Sequence, residues 1–191
     1  MNALSNHSDL WAMASGGDQH AYALLHKNMY ASLHGYLLKI VKDEDLVDDL
    51  LQELFVKIWQ KRNQIGAIRN VKAYFFTASR SMAINHFRQI KSQNTRMEKF
   101  MQPDMDFSTE DIIMSTESDT ELKSIMANAL NSLPVRQREI IYLKYYEDME
   151  YQKIAEVTGI QYQSVINHVF RALQTLRTTF KNAKAEELCI I

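Results

Sequence analysis

Apolar residues recur every three or four positions along most of this chain, which is the spacing of amphipathic α-helices. One stripe passes through Leu25, Met29 and Leu33, and others cover residues 46–59 and 122–180. The 191 residues include only 5 Gly and 2 Pro, too few for the many tight turns of an all-β domain. We therefore predict an all-α fold, with two small helical domains joined by a flexible acidic linker.

Local signals predict where the individual helices begin and end. Asp18 follows a Gly-Gly pair and is a predicted N-cap for a helix that ends near Val41. After the stripe at 46–59, a loop is expected over Asn63–Arg69, and then a helix from 71 to about 91, with Tyr74 and Phe75 more consistent with core packing than with binding. Later helices are predicted over residues 122–133, 137–146, 151–157 and 162–179, with a break at Pro134.

Charges are sorted along the chain, although the formal net charge is only −1. Residues 43–53 hold six acids and no base, whereas residues 54–97 hold nine bases and no acid. Residues 97–121 hold eight acids and one base, and residues 157–185 hold four bases and no acid. Clustered Lys and Arg attract phosphates by counterion release, so the two basic segments predict two surfaces for a polyanion. Solvated helix faces are the alternative interpretation.

The sequence lacks the signals of a cofactor site, a metal site or a membrane segment. The six His show no metal-ligand spacing, a single Cys cannot build a thiolate site, and no Gly-rich phosphate loop or nucleophile motif occurs. No signal peptide is visible, and no apolar run approaches the ~18 residues of a membrane span. We expect a cytoplasmic protein that is not an enzyme, needs no cofactor or metal and does not insert into a membrane.

Residues 151–165 have the pattern of a helix-turn-helix. Ala155 is small where two helices would cross, and Gly159 can adopt the positive φ of a tight turn between them. The second helix would expose side chains that bond base edges or phosphates in a DNA major groove. These are Gln161, Gln163, Ser164, Asn167, His168 and Arg171. A plain helical hairpin is the alternative, but the basic segment around the motif favours DNA binding.

Two parts of the chain resemble bacterial sigma factors. Residues 133–147, with the helix-turn-helix and the Phe-Arg-Ala-Leu at 170–173, resemble the fourth conserved region of these factors. Residues 50–59 are similar to the core-binding helix of the second region, and residues 73–88 resemble its promoter-melting helix. Because these two regions and a short linker account for the match, the chain resembles the extracytoplasmic-function (ECF) subfamily of the sigma-70 family.

The resemblance implies four parts and a function. They are region 2 over residues 1–92, an acidic linker over 93–121, region 4 over 122–182 and a tail over 183–191. Such factors bind core RNA polymerase and direct promoter recognition, DNA melting and transcription initiation. The core polymerase would be bound through Asp48, Asp49, Gln52 and Glu53, where complementary charge would steer association. A solvated polar face is the alternative interpretation of these four residues.

The resemblance also assigns two DNA-binding surfaces. The −10 element would be bound by Asn63, Arg69, Arg80, Asn85, Arg88 and Lys91, with a flipped base received by the loop Asn63–Arg69. The −35 element would be bound by Gln163, Ser164, Asn167, His168, Arg171 and Arg177. Among these, Gln163, Asn167 and His168 would contact base edges, whereas Arg171 and Arg177 would clamp phosphates. The chain departs from the usual family residues at Ser81, Asn85 and Gln161, which leaves the promoter sequence open.

Further partners and competing functions follow from the same reasoning. The linker would thread toward the polymerase's RNA exit path, or act as a solvated tether, or cover the basic surfaces in the free protein. Members of the subfamily are often held by an anti-sigma factor, so we expect such a partner. The main alternative is a stand-alone helix-turn-helix transcriptional regulator, but residues 9–91 show no βα alternation of a receiver domain. A pure protein-interaction module would leave the basic segments unexplained.

Overall fold

The computed structural model describes residues 6–93, 105–112 and 120–188, without the side chains of 90–93 and 181–188. Within these ranges it contains α-helices, one short 3-10 helix over Thr109–Asp111 and no β-strand. The helices are α1 (His7–Ser15), α2 (Gln19–Val41), α3 (Glu44–Ile65), α4 (Val71–Gln93), α5 (Thr120–Asn131), α6 (Val135–Tyr145), α7 (Tyr151–Thr158) and α8 (Tyr162–Leu188). The chain divides near residue 101 into two compact units. The predicted all-α fold is confirmed.

Short polar side chains begin the first helices of the chain. The Asp18 carboxylate accepts hydrogen bonds from the backbone N–H groups of His20 and Ala21, as an N-cap should, which confirms the predicted start of α2. The Asp43 carboxylate caps α3 in the same way, and the Asn70 side chain accepts from the N–H of Ala73 at 2.7 Å in the first turn of α4. Each cap satisfies backbone donors that would otherwise lack a partner.

The core of the first unit lies around α2, which packs against α1, α3 and α4. Its largest fully buried side chains include Trp11, Tyr36, Phe75 and Phe76. The prediction that Phe75 is a core residue is confirmed, since this side chain has no exposed surface, whereas Tyr74 is half-buried. Burying such rings is the main favourable contribution to folding.

The end of α3 differs from the sequence prediction. The loop was expected to begin at Asn63, but the helix continues to Ile65 and stops at Gly66, whose φ is +66°. Arg62 supports this last turn, because its guanidinium lies 4.1 Å from the centre of the Trp59 ring and donates to the Trp59 carbonyl. Asn63 therefore lies on the helix, and the connection to α4 spans residues 66–70.

In the second unit, α8 packs against α5 and α6, and α7 leads into α8 through the predicted tight turn. Gly159 has φ +69° and ψ +29°, the left-handed conformation that the helix-turn-helix pattern requires. Ile154 and Val165 on either side of this turn are completely buried. Pro134 lies at the N-cap of α6, so the predicted break before that helix is also confirmed.

A short segment inside the predicted linker packs on the second unit. Residues 94–104 and 113–119 of that linker lie outside the described residues, but residues 105–112 lie against α5 and α6. The Asn131 side chain pairs with both the N–H and the carbonyl of Phe107, each at 2.8 Å, and Asp106 forms an ion pair with Arg138 at 2.9 Å. Met105 and Phe107 are almost completely buried there. We name residues 105–112 the docked segment.

Candidate functional site

The acidic face of α3 consists of Asp48, Asp49, Gln52 and Glu53, the four residues that sequence analysis assigned to polymerase binding. Helical geometry places them within an arc of roughly 140° around the helix. All four are exposed, while Leu50, Leu51 and Leu54 on the opposite side are buried. The four side chains therefore form one continuous polar surface on the first turns of α3.

The four residues of this face differ in their intramolecular contacts. One oxygen of Asp48, Oδ1, accepts a hydrogen bond from the Tyr30 hydroxyl at 2.5 Å and lies 3.4 Å from Nε2 of His34. Glu53 pairs with Lys57 one turn later on α3. The Asp48 hydrogen bond, more than burial, raises the pKa of the Tyr30 hydroxyl. These contacts could not be predicted from the sequence, because they depend on how α2 lies against α3.

A column of rings on α2 leads to Asp48. Tyr22, His26, Tyr30 and His34 follow one another at four-residue intervals, which places them along one side of the helix. His26 lies 5.3 Å from Tyr30, and Tyr30 lies 5.7 Å from His34, as measured between ring centres. The column also rests on α3, because the His26 ring lies 4.3 Å from that of Phe55. This contact joins the column to α3.

The residues assigned to the −10 element lie on two elements of the first unit. Asn63 is exposed on the last turn of α3, and Arg69 is exposed in the following loop. On α4, Asn85 and Arg88 are exposed and Arg80 is half-buried. Lys91 lies in the last turn of α4, but its side chain is outside the described residues. Four of these positions on α4 fall within roughly 140° of the helix circumference, namely Arg80, Asn85, Arg88 and Lys91. Residues on one such face can follow a single strand of DNA.

A cavity of about 410 Å³ lies between α1 and the loop that follows α3. Its lining includes Ser8 and Ser15 from α1, Arg62 and Asn63 from the end of α3, and Ile68 from the loop. The loop is tied to α1, since the Trp11 indole N–H donates to the Gly66 carbonyl at 2.9 Å. The Nε of Arg62 is buried without a hydrogen-bond partner among the described residues. The lining of the cavity thus combines apolar side chains, such as those of Trp11 and Ile68, with polar groups.

The residues assigned to the −35 element lie on the first half of α8. Gln163, Asn167, Arg171 and Arg177 are exposed, whereas Ser164 and His168 are half-buried. The Gln163 amide lies 3.4 Å from the Asn167 side-chain oxygen, so these two amides are neighbours on one face. Val165, Val169 and Ala172 hold the opposite face of α8 in the core. The first half of α8 thus presents polar groups on the side away from the core.

His168 has a more buried environment than the other predicted DNA contacts. Partial burial, together with the positive charges of Arg136 and Arg171, lowers the pKa of its imidazole. Its Nδ1 is buried without a hydrogen-bond partner among the described residues. The neutral form is therefore favoured at neutral pH, so this side chain offers hydrogen bonds rather than a positive charge.

An apolar pocket on the second unit was not found by sequence analysis. It has a volume of about 340 Å³, and its apolar lining comes from α5, α6, α8 and the docked segment. The lining residues are Asp111, Ile112, Met126, Leu130, Ile141, Tyr145, Tyr146, Leu173 and Leu176. Leu173 and the neighbouring Phe170 keep 43% and 68% of their surface exposed. The sequence did contain a signal for this pocket. Phe170 and Leu173 are large apolar residues of α8 that lie outside its buried apolar stripe.

Among residues 6–93, 105–112 and 120–188, no group of three or more His, Cys, Asp or Glu side chains could hold a metal ion. None of the helices in these ranges is long and apolar enough to cross a membrane.

Comparison with protein families identifies both units. The family described as Sigma-70 region 2 matches residues 25–93, and the family described as Sigma-70, region 4 matches residues 123–176. The first match covers α3, α4 and most of α2, and the second covers α6, α7 and parts of α5 and α8. Both units therefore match, in the order in which the two regions were expected.

Curated relatives and solved structures are similar over most of the chain. The ECF RNA polymerase sigma factor SigM of Bacillus subtilis is 24% identical, covering 81% of this chain and 92% of the relative. SigL of Mycobacterium tuberculosis, also an ECF RNA polymerase sigma factor, is 27% identical, covering 79% of this chain and 84% of the relative.

Among solved structures, CnrH in complex with the cytosolic domain of CnrY has a TM-score of 0.63 at 20% identity and covers 93% of this chain and 99% of its own. RpoE in complex with the anti-sigma factor NepR, from Bartonella quintana, has a TM-score of 0.58 at 21% identity, with 84% and 96% covered. At this level of identity, the two structures show that the fold is shared.

Proposed function

Because the chain belongs to the ECF subfamily of the sigma-70 family, we propose that its acidic face docks on core RNA polymerase and that its two basic surfaces hold the promoter. The protein is an RNA polymerase sigma factor, which directs the polymerase to promoters at transcription initiation. Because the polymerase itself catalyses RNA synthesis, we expect this chain to contribute binding and no catalysis. We also expect it to act in the cytoplasm, where the polymerase works.

The observation that carries the docking proposal is the exposed acidic face on a helix whose other side is buried. Asp49 and Gln52 stand fully at the surface of α3, where they can meet a cationic partner without breaking a core contact. Oppositely charged surfaces speed association and fix register, even where each pair adds little affinity. A basic segment of core polymerase is the partner that fits this charge.

For the −10 element, we propose that Arg80, Arg88 and Lys91 contact phosphates along one strand while Asn85 contacts a base. The cavity between α1 and the loop after α3 supports the capture of a flipped base, because it has room for a nucleobase and its lining includes the polar side chains of Arg62 and Asn63. Asn63 lines this cavity, and Arg69 lies in the adjoining loop. Stacking on apolar walls together with phosphate contacts is the usual way to hold single-stranded DNA.

For the −35 element, we propose that α8 enters the major groove. Gln163 and Asn167 would contact base edges, because amide side chains pair well with adenine. His168 would add a neutral hydrogen-bonding group, and Ser164 a hydroxyl close to the backbone. Arg171 and Arg177 would bind phosphates, and so would hold the helix in register without reading sequence.

We also propose the division of labour along the chain and a further partner. Residues 1–92 would bind the polymerase and the −10 element, residues 122–182 would bind the −35 element, and 93–121 would join them, with 183–191 as a tail. An anti-sigma factor is the further partner, and the apolar pocket on the second unit supports it, since its lining and the exposed Leu173 offer a site for apolar side chains.

The docking proposal is tested by binding purified core RNA polymerase to the full chain. We expect Asp49→Arg to weaken core binding at least tenfold, because it replaces an attraction with a repulsion at an exposed position. Asp9→Arg is the matched control, because Asp9 is an exposed acid in the first turn of α1, away from the acidic face. Equal binding by wild type and Asp49→Arg would overturn the proposal. No binding by a folded wild type would favour a stand-alone transcriptional regulator.

A further inference from the structure

The Asp48 carboxylate is held from a neighbouring helix. The Tyr30 hydroxyl and the His34 imidazole, one turn apart on α2, both approach the same oxygen, Oδ1, at 2.5 and 3.4 Å. The carboxylate is nevertheless 56% exposed. Asp48 is therefore restrained on its inner side and open to a partner on its outer side.

The two groups that restrain Asp48 pack against other rings. The Tyr30 ring is tilted against that of His26 and stacked on that of His34, and the His26 ring rests against Phe55 of α3. These ring contacts restrict the positions that the hydroxyl and the imidazole can take. Because the hydrogen bond to Asp48 raises the pKa of Tyr30, its hydroxyl keeps its proton and acts as a donor throughout the physiological pH range.

We propose that Tyr30 and His34 are positioning residues, which hold the Asp48 carboxylate in the orientation that a cationic segment of core polymerase binds. The inference rests on the proposed docking function of the acidic face. Both restraints use Oδ1, so a guanidinium or ammonium group can bind the second oxygen without displacing them. A side chain that is ordered before binding loses less conformational freedom on binding, an effect of roughly two- to tenfold in affinity.

The first test compares two tyrosines of the same column. Tyr30→Phe removes the hydroxyl that contacts Asp48, whereas Tyr22→Phe removes one that donates to the Phe55 carbonyl at 2.6 Å, away from the acidic face. Both variants keep their rings, so the packing of α2 on α3 is retained. We expect Tyr30→Phe to weaken the binding of core polymerase by the full chain roughly two- to tenfold, and Tyr22→Phe to leave it unchanged.

A double-mutant cycle separates positioning from a general loss of structure. Once Asp48→Ala has removed the carboxylate, adding Tyr30→Phe should change the dissociation constant for core polymerase no further. In an Asp49→Ala background, Tyr30→Phe should keep its full effect, because Asp49 is not held by Tyr30. A purely structural role of Tyr30 would give the same effect in both backgrounds.

His34 provides a rescue test. His34→Gln keeps a side-chain N–H that can reach Asp48, and we expect it to bind core polymerase nearly as well as wild type, whereas His34→Leu should bind it more weakly. If Tyr30→Phe and Tyr22→Phe bind equally well, or if the effect of Tyr30→Phe persists without the Asp48 carboxylate, the positioning role is refuted. That result leaves docking itself intact as long as Asp49→Arg still weakens the binding of core polymerase at least tenfold. Full binding by Asp49→Arg would instead refute the docking face.

Discussion

The contacts of the docked segment predict that Asn131→Ala destabilises the second unit. The Asn131 amide binds the Phe107 backbone twice, with its oxygen accepting from the N–H and its nitrogen donating to the carbonyl. This pair anchors residues 105–112, including the buried Met105, to the end of α5. Removal of the amide leaves both Phe107 backbone groups without this partner at a partly buried position. The second unit should therefore lose stability.

The size of this effect can be worked out from the two hydrogen bonds. A typical intramolecular hydrogen bond contributes about 0.5–1.5 kcal/mol net, so the pair contributes about 1–3 kcal/mol. Alanine also favours helix over asparagine by about 0.5 kcal/mol, which offsets part of the loss. Asn128→Ala controls for this gain, since Asn128 is exposed one turn earlier on the same helix. The difference between the two variants should therefore be about 1–3 kcal/mol.

The assay can report on each unit separately. Both Trp residues of the chain, Trp11 and Trp59, belong to the first unit, so tryptophan fluorescence follows the unfolding of that unit only. Far-UV circular dichroism follows the helices of both units. With a urea dependence near 1–2 kcal/mol/M, Asn131→Ala should lower the midpoint of the second unit by about 1 M relative to Asn128→Ala. The fluorescence midpoint should not move. Equal midpoints for the two variants would refute the anchoring role of Asn131.

Two further predictions concern the helix-turn-helix. Gly159→Ala should lower the thermal midpoint of the second unit by about 5 °C, because φ is +69° and a left-handed alanine costs about 1 kcal/mol, whereas Gly159→Asn should lose less. Burial and two nearby arginines lower the pKa of His168, so the unfolded chain binds this proton at higher pH and stability falls as the pH drops below about 6.5. His168→Gln should therefore gain unfolding free energy relative to wild type between pH 7.5 and pH 5.5, whereas His20→Gln, which removes an exposed imidazole, should run parallel to wild type. The argument about Gly159 would be contradicted if Gly159→Asn had no higher thermal midpoint than Gly159→Ala. The argument about His168 would be contradicted if the difference in unfolding free energy between His168→Gln and wild type did not change with pH.

The features that could be predicted from sequence are those determined locally. Asp18 caps α2 because a short carboxylate can reach the N–H groups two and three residues ahead, whatever the rest of the chain does. Gly159 ends α7 for an equally local reason, its tolerance of positive φ. The end of α3 was placed too early, because Asn63 does not by itself stop a helix, and the stop lies at Gly66.

Features that depend on long-range contacts escaped prediction. The docked segment stands in an acidic stretch without helical periodicity, and its packing depends on Asn131 and Tyr146, more than twenty residues later. Met105, Phe107 and Ile112 were the available signal, since bulky apolar residues seldom recur in a solvated tether. The acidic face was visible as a charge cluster, but the Tyr30–Asp48 contact requires knowledge of the register between two helices.

The charge order along α3 gives a physical reason why the two proposed binding functions can share one helix. Its first turns carry the acidic face, and its last turns carry Lys61 and Arg62, of which Arg62 lines the cavity. At 1.5 Å per residue, Asp49 and Arg62 are about 20 Å apart on a helix that cannot shorten. In the proposed complex, a basic polymerase segment would be repelled by the cationic end and DNA by the acidic end, so each partner would be excluded from the other's position as well as attracted to its own. Docking on the polymerase would therefore fix where the melted strand must lie.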